Sequence, residues 1–229
     1  LQTSSTGGKV DLVIFDCDGV LIDSEELSAS VLSGMMAEIG LPITPEIFRS
    51  DFLGRSFASA TAKAMERFGK PVPDDFQMKY RSRLLAAMRG NLQPMPGVRA
   101  VLDAMTVPFC LATSSSPQRL AVSMEETGLG PYFEGRSFTA SMVTNGKPAP
   151  DLMLHAAHVM KAKPELCVVI EDSEMGLRSA LNAGMQTWRF VGGSHLQVNR
   201  DLPSDVKPHL ILDSMAALHN ALRNIGAAT

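Results

Sequence analysis

An α/β fold is predicted, with a parallel sheet interrupted by an inserted helical domain, and three observations carry that prediction. Short apolar, often β-branched runs recur at 10–15 (VDLVIF), 108–113 (PFCLAT), 166–171 (LCVVIE) and 187–191 (TWRFV). Their hydrophobicity is continuous rather than alternating, the pattern of strands covered on both faces. The later runs are separated by helix-like segments, whereas the long interval 24–94 holds several helix patterns and no convincing strand. Asp16, Thr113 and Asp172 each fall just past one of the runs, and ligands gather at the carboxyl ends of parallel strands.

Length and composition agree with this reading. A chain of 229 residues with 45% hydrophobic composition is long enough for one full core and a smaller second domain. The formal charge of −3 gives no general attraction to nucleic acid or to an anionic membrane, so an anionic ligand has to be met by a local arrangement of charge. Cys17, Cys110 and Cys167 are odd in number, far apart and inside apolar runs, which predicts buried reduced thiols in a reducing compartment. No apolar stretch approaches the ~20 residues that span a bilayer. The opening LQTSSTGG has neither a basic nor an apolar signal region and reads as a flexible lead-in over 1–8. A cytoplasmic location is expected.

Taken in chain order, the first run leads into Asp16. Asp23 with Glu26 then makes a D-x-x-E capping signal, followed by an apolar face of Leu27, Val31, Leu32, Met35, Met36 and Ile39 that stops at Gly40. Further on, Asp74 with Gln77 is a second capping signal, and Phe76, Tyr80, Leu84 and Met88 repeat every four residues. The expected division is a core over 9–23 and 95–229 and a helical cap over 24–94, with hinges near Asp23 and 94–97. Inserted helices at the mouth of such a site act as a lid that excludes water. The methionines of the insert, among them Met35, Met36, Met65, Met78 and Met88, are read as core filler. His155 and His158 lack the i, i+4 spacing of a zinc pair and are read as packing or surface residues.

The stretch DCDGVLID places Asp16, Asp18 and Asp23 close together. Two unit charges ~4 Å apart repel by roughly 4 kcal/mol at an effective dielectric near 20. A metal ion, a basic side chain or a proton must therefore stand among them. Four segments share the explanation: DCDGVL at 16–21, ATSSSP at 112–117, GKPAPD at 146–151 and VIEDSEMGLRSALNAG at 169–184. Each alone is an ordinary turn, helix start or loop, and Asp172 alone reads as a helix cap. Their order, with three of them at strand ends, is far more specific.

These segments resemble the haloacid dehalogenase-like hydrolase superfamily, in its branch with a helical cap, which includes β-phosphoglucomutase and sugar-phosphate phosphatases. The D-x-D-G-V-L-x-D-S signature is present as Asp16, Asp18, Gly19, Val20, Leu21, Asp23 and Ser24, and the resemblance runs from about Lys9 onward. It implies a Rossmann-like sheet and Mg²⁺-dependent phosphoryl transfer from a small phosphorylated metabolite. By resemblance Asp16 is the nucleophile that forms an aspartyl-phosphate, and Asp18 is the general acid and base. Asp16, the Asp18 backbone carbonyl and Asp172 are implied as the protein oxygens for Mg²⁺, with Glu171 one step behind them. Thr113 and Ser114 are implied to bind phosphate, helped by a helix starting near Pro117, and Lys147 to neutralise both phosphate and Asp16. Arg55, in LGRS, lies where this family's cap often presents a specificity loop. Asp18 is expected to titrate nearer neutrality than a free carboxyl, because its surroundings are crowded with negative charge.

Rival chemistries remain at this point. A phosphomutase shares all four segments, but its type carries a histidine where SEELSAS has Ser28. A dehalogenase does without the second acid that Asp18 provides. A phosphonate hydrolase needs a cap amine, for which Lys63 and Lys79 are candidates. A catalytically silent phosphate or metal binder on the same scaffold predicts no turnover at all. The favoured reading is a phosphatase.

Overall fold

The computed structural model describes residues 9–51, 57–196 and 201–229. Six parallel strands form one sheet in the order β3-β2-β1-β4-β5-β6. They are β1 (Leu12–Phe15), β2 (Phe109–Thr113), β3 (Ser137–Thr139), β4 (Cys167–Glu171), β5 (Gln186–Phe190) and β6 (Leu210–Leu212). The central strand β1 pairs with β2 from Val13↔Phe109 and with β4 from Leu12↔Cys167. Its four residues show why the run is continuously apolar. Leu12 and Ile14 join the core on one face, Val13 and Phe15 the core on the other, as alternation along a strand requires. All four are fully buried, each contributing ~1.5–3 kcal/mol.

The four predicted runs are β1, β2, β4 and β5, each within two residues at either end. The two edge strands were not foreseen. β3 and β6 are three residues each, and in β6 Leu210 and Ile211 remain exposed, so neither leaves a long buried signature.

Between β1 and β2 the described chain is helical: α1 (Glu25–Glu38), α2 (Pro45–Asp51), α3 (Phe57–Phe68), α4 (Phe76–Met88) and the short α5 (Val98–Asp103). The insertion has its own small core of Leu32, Met35, Met36, Leu41, Ile43, Phe48, Ala64 and Phe76. Leu84 and Met88, further along α4, belong instead to the main core. The predicted faces therefore hold, but the predicted caps do not. Ser24, not Asp23, precedes α1, and it makes no side-chain cap bond. Asp23 instead accepts a hydrogen bond from Ser194 Oγ at 2.7 Å. Likewise Asp75, not Asp74, precedes α4, and its carboxylate pairs with Lys79 at 2.6 Å rather than capping.

The two crossings between insertion and core run side by side. Asp23 N donates to Gln93 O at 3.2 Å, and Met95 N donates to Leu21 O at 2.8 Å. The remaining helices are α6 (Pro117–Thr127), α7 (Gly130–Phe133), α8 (Asp151–Val159), α9 (Glu174–Asn182) and α10 (Met215–Asn224). All three cysteines are free and buried. His155 packs edge-on to Phe138 with ring centroids 5.5 Å apart, the expected packing role. Among the described residues no helix is long and apolar enough to cross a membrane.

Candidate active site

Asp16 and Asp172 follow β1 and β4, and Thr113 and Glu171 close β2 and β4, so four of the expected residues meet at one end of the sheet. Lys147 reaches the same point from the loop before α8. Its Nζ donates to Asp16 Oδ1 at 2.6 Å, to Glu171 Oε1 at 2.7 Å and to Ala112 O at 3.1 Å. The lysine side chain is 3% exposed. A buried ammonium survives there because the two carboxylates outweigh the loss of water and keep it charged.

One lysine does not balance this cluster. Oxygens of Asp16, Glu171 and Asp172 lie within 4.8 Å of one another, all buried. Burial pushes the Asp16 carboxyl well above its ordinary value; Lys147 pulls it down, and Glu171, Asp172 and Asp18 push it up again. Such a surplus of hard oxygen donors fits a magnesium-like cation. Glu171 is the most committed of the three. Its Oε1 accepts from Lys147, and its Oε2 from both the backbone N–H and the hydroxyl of Ser173. Asp16 Oδ2 and Asp172 Oδ1 accept no hydrogen bond among the described residues. The donor set fits a hard divalent cation, with free oxygens on Asp16 and Asp172 and both Glu171 oxygens committed to Lys147 and Ser173.

Two glycines make this packing feasible. Gly19 has φ +81°, and a Cβ there would overlap Asp172 Oδ2 and come within 2.9 Å of His195 Cε1. The first loop can thus fold back, with Gly19 N donating to Ile22 O at 2.8 Å, only where no side chain intervenes. In the first turn of α9, a Cβ on Gly176 would overlap the Glu171 carboxylate. The motif residues of the first and fourth segments are spaced by these contacts.

Asp18 departs from expectation. Its Oδ1 accepts from Arg119 Nη2 at 2.6 Å and from Ser24 Oγ at 2.5 Å, and its Oδ2 from Ser115 Oγ at 2.6 Å. Burial pushes its carboxyl up, but Arg119 and the two hydroxyls outweigh that and hold it below the ordinary aspartate value. The expected approach to neutrality is therefore corrected: the crowding was real, but a guanidinium stands inside it. Both side-chain oxygens of Asp18 are thus occupied by protein donors.

Thr113 is buried and its Oγ1 accepts from Ser115 N at 3.0 Å, leaving its own O–H to donate. Ser114 is exposed beside it. Helix α6 begins at Pro117 as expected, with Ser116 as its cap accepting from Arg119 N. Asp172 does not cap α9; Ser173 does, accepting from Gly176 N at 3.1 Å. Cys17 is fully buried in the main core, and burial drives its thiol far above the ordinary range. Arg55 lies outside the described residues.

Two residues at the site were not anticipated, Arg119 and His195. His195, in a short turn after β5, donates from Nε2 to Asp172 Oδ2 at 2.9 Å. Burial lowers its affinity for a proton, but Asp172, Glu25 and Asp23 raise it above the ordinary histidine value. Glu25, at the start of α1, is pushed up to about 7 by burial, and Arg119 only partly offsets this.

A family model described as haloacid dehalogenase-like hydrolase matches residues 10–184. The phosphorylated carbohydrates phosphatase of Thermotoga maritima is 31% identical over 81% of this chain and 86% of its own. The 6-phosphogluconate phosphatase of Escherichia coli is 28% identical over 82% of this chain and 85% of its own. A crystal structure of a HAD family hydrolase from Deinococcus radiodurans, with bound phosphate and sodium, superposes with a TM-score of 0.78 at 32% identity, covering 96% of this chain and 98% of that one. With its parallel sheet, its carboxylate cluster at the strand ends and this matched span, the chain belongs to the haloacid dehalogenase-like hydrolase family.

Proposed function

We propose that this enzyme, a phosphoric monoester hydrolase, releases phosphate from a small phosphorylated metabolite of the sugar-phosphate kind through an aspartyl-phosphate on Asp16. The observation that carries the reading is the buried cluster of Asp16, Glu171 and Asp172 with Lys147 at its centre. The activities named for the Thermotoga and Escherichia relatives, and the phosphate in the Deinococcus structure, support it. Asp16, Asp172 and the Asp18 carbonyl would hold Mg²⁺, which supplies charge neutralisation between the attacking carboxylate and the phosphate oxygens.

In the first step one oxygen of the Asp16 carboxylate bonds to phosphorus as the ester P–O bond breaks, and Asp18 gives its proton to the departing alkoxide. In the second, a water attacks the same phosphorus, Asp18 takes the water's proton, and Asp16 leaves as a free carboxylate. Asp18 is ionised in its present hydrogen bonds, which suits the second step. The phosphate's own negative charge raises that carboxyl on arrival and favours the proton needed for the first. Thr113 and Ser114 donate to phosphate oxygens, and Lys147 neutralises phosphate and nucleophile together. Residues 24–94 serve as the cap that closes over the site, and the reduced thiols fit a cytoplasmic setting.

The test is phosphate release from a panel of phosphorylated sugars and sugar acids, and from an aryl phosphate, with Mg²⁺, with chelator and with Asp16→Asn. Release that needs both the metal and Asp16 is expected. Release that survives either change overturns the mechanism, and a product that keeps its phosphate marks a mutase.

A further inference from the structure

Arg119, in the first turn of α6, touches three residues from two other parts of the molecule with one nitrogen. Its Nη2 lies 2.6 Å from Asp18 Oδ1 and 3.3 Å from both Ser24 Oγ and Ser28 Oγ. Asp18 belongs to the loop after β1, while Ser24 and Ser28 lie at the start of α1 in the insertion. The side chain is only 20% exposed, and its Nε is buried with no partner among the described residues. Glu25 and Tyr80 also face it. An ion pair so sheltered gives up as much hydration as it recovers in attraction, so stability is a weak reason for its presence. An aspartate has two torsions free to turn. Here donors from α6, from the strand-end loop at Ser115 and from α1 converge on its two oxygens and leave one orientation.

We propose that Arg119 is the positioning residue of the acid/base, fixing the direction of the Asp18 carboxylate relative to the first helix of the insertion. The role rests on the phosphatase reading above and adds to it a residue outside the four sequence segments. Arg119 acts through Asp18 and takes no part in bond making. Its effect follows the leaving group: an alkoxide needs a proton as it departs, whereas p-nitrophenolate does not.

The experiment compares kcat/KM for glycerol 2-phosphate and for p-nitrophenyl phosphate in the wild type, Arg119→Met and Arg119→Lys. Misplacing a catalytic group by about 1 Å costs ~100-fold, so Arg119→Met should lose about that much on the alkyl ester and less than about fivefold on the aryl ester. A burst of p-nitrophenol should appear, because the second step still needs Asp18 as base. Arg119→Lys keeps a charge that reaches Asp18 but cannot bridge to both serines. It should recover about tenfold of the alkyl loss. Equal loss on both esters, a loss confined to KM, or no loss on the alkyl ester overturns the proposal. If Arg119→Met fails to melt cooperatively, Arg119→Lys decides alone: alkyl-selective loss supports the role and unselective loss overturns it. A wild type that releases phosphate from neither ester in an Asp16-dependent way removes the phosphatase reading, and the proposal with it.

Discussion

Replacing Lys147 by methionine keeps the length of the side chain and removes its charge. The variant leaves Asp16 and Glu171 without their 2.6 Å and 2.7 Å partner and frees the Ala112 carbonyl as well. Breaking a buried pair by deleting one partner costs ~3–5 kcal/mol, since the other charge stays behind in a dry site. For a protein of this size each kcal/mol moves Tm by ~2–4 °C, so Tm should fall by about 6–20 °C. The assay is thermal melting in EDTA, repeated across pH and with added Mg²⁺. Burial already pushes Asp16 up and Lys147 holds it down, so removing the lysine raises both carboxyls further. The folded state then binds protons that the unfolded chain has released, and stability is lost as pH rises. The deficit should be smallest near pH 4 and widen upward from there, the unfolded aspartate value being ~3.9. Added Mg²⁺ should return part of it. A Tm within about 2 °C of the wild type in EDTA, or a deficit that narrows as pH rises, would refute the charge balance described here.

Three further outcomes are expected. Gly19→Ala places a Cβ on Asp172 and His195 at a left-handed φ; phosphate release should fall far more than the ~1–3 kcal/mol of strain alone would cost in chemical denaturation. Glu25→Gln removes a carboxyl pushed from 4.5 to about 7. The wild type should lose about 3 kcal/mol between pH 4.5 and 7 as that group ionises. The variant in EDTA should therefore melt higher than the wild type above pH 7 and alike near pH 4, and a difference that shrinks with rising pH would contradict this. His195→Gln weakens the hold on Asp172 Oδ2; the Mg²⁺ concentration for half-maximal phosphate release should rise ~10–100-fold, and an unchanged metal dependence would show that the histidine does not orient its neighbour.

The central sheet was legible because β1, β2 and β4 are buried on both faces, and continuous burial leaves continuous apolar sequence. β3 and β6 were not, because an edge strand of three residues shares its chemistry with loops. At the site, Asp16, Thr113, Lys147 and Asp172 could be found because strand ends and short motifs hold their signal within a few residues. Arg119 and His195 arrive through space. One is 101 residues from the carboxylate it meets, and a lone arginine on a helix or a lone histidine in a turn looks like any solvated residue. The available clue for Arg119 was its place in the first turn of the helix that follows a strand end. Missing it led directly to the wrong expectation for the Asp18 carboxyl. The capping signals failed for local reasons: Asp23 gives its carboxylate to Ser194, and α4 starts one residue after the position that Asp74 would cap, behind Asp75, whose carboxylate pairs with Lys79.

The paired crossings at Leu21–Met95 and Asp23–Gln93 bring the chain's exit from the core and its return to nearly the same place. The interval between them is not wholly separate, since Leu84 and Met88 of α4 pack into the core beneath the sheet. A replacement of that interval keeps β1 and β2 in register only if it also refills the space that Leu84 and Met88 occupy in the main core. Chimaeras joined at the two crossings therefore need matched side chains at positions 84 and 88 as well as matched ends.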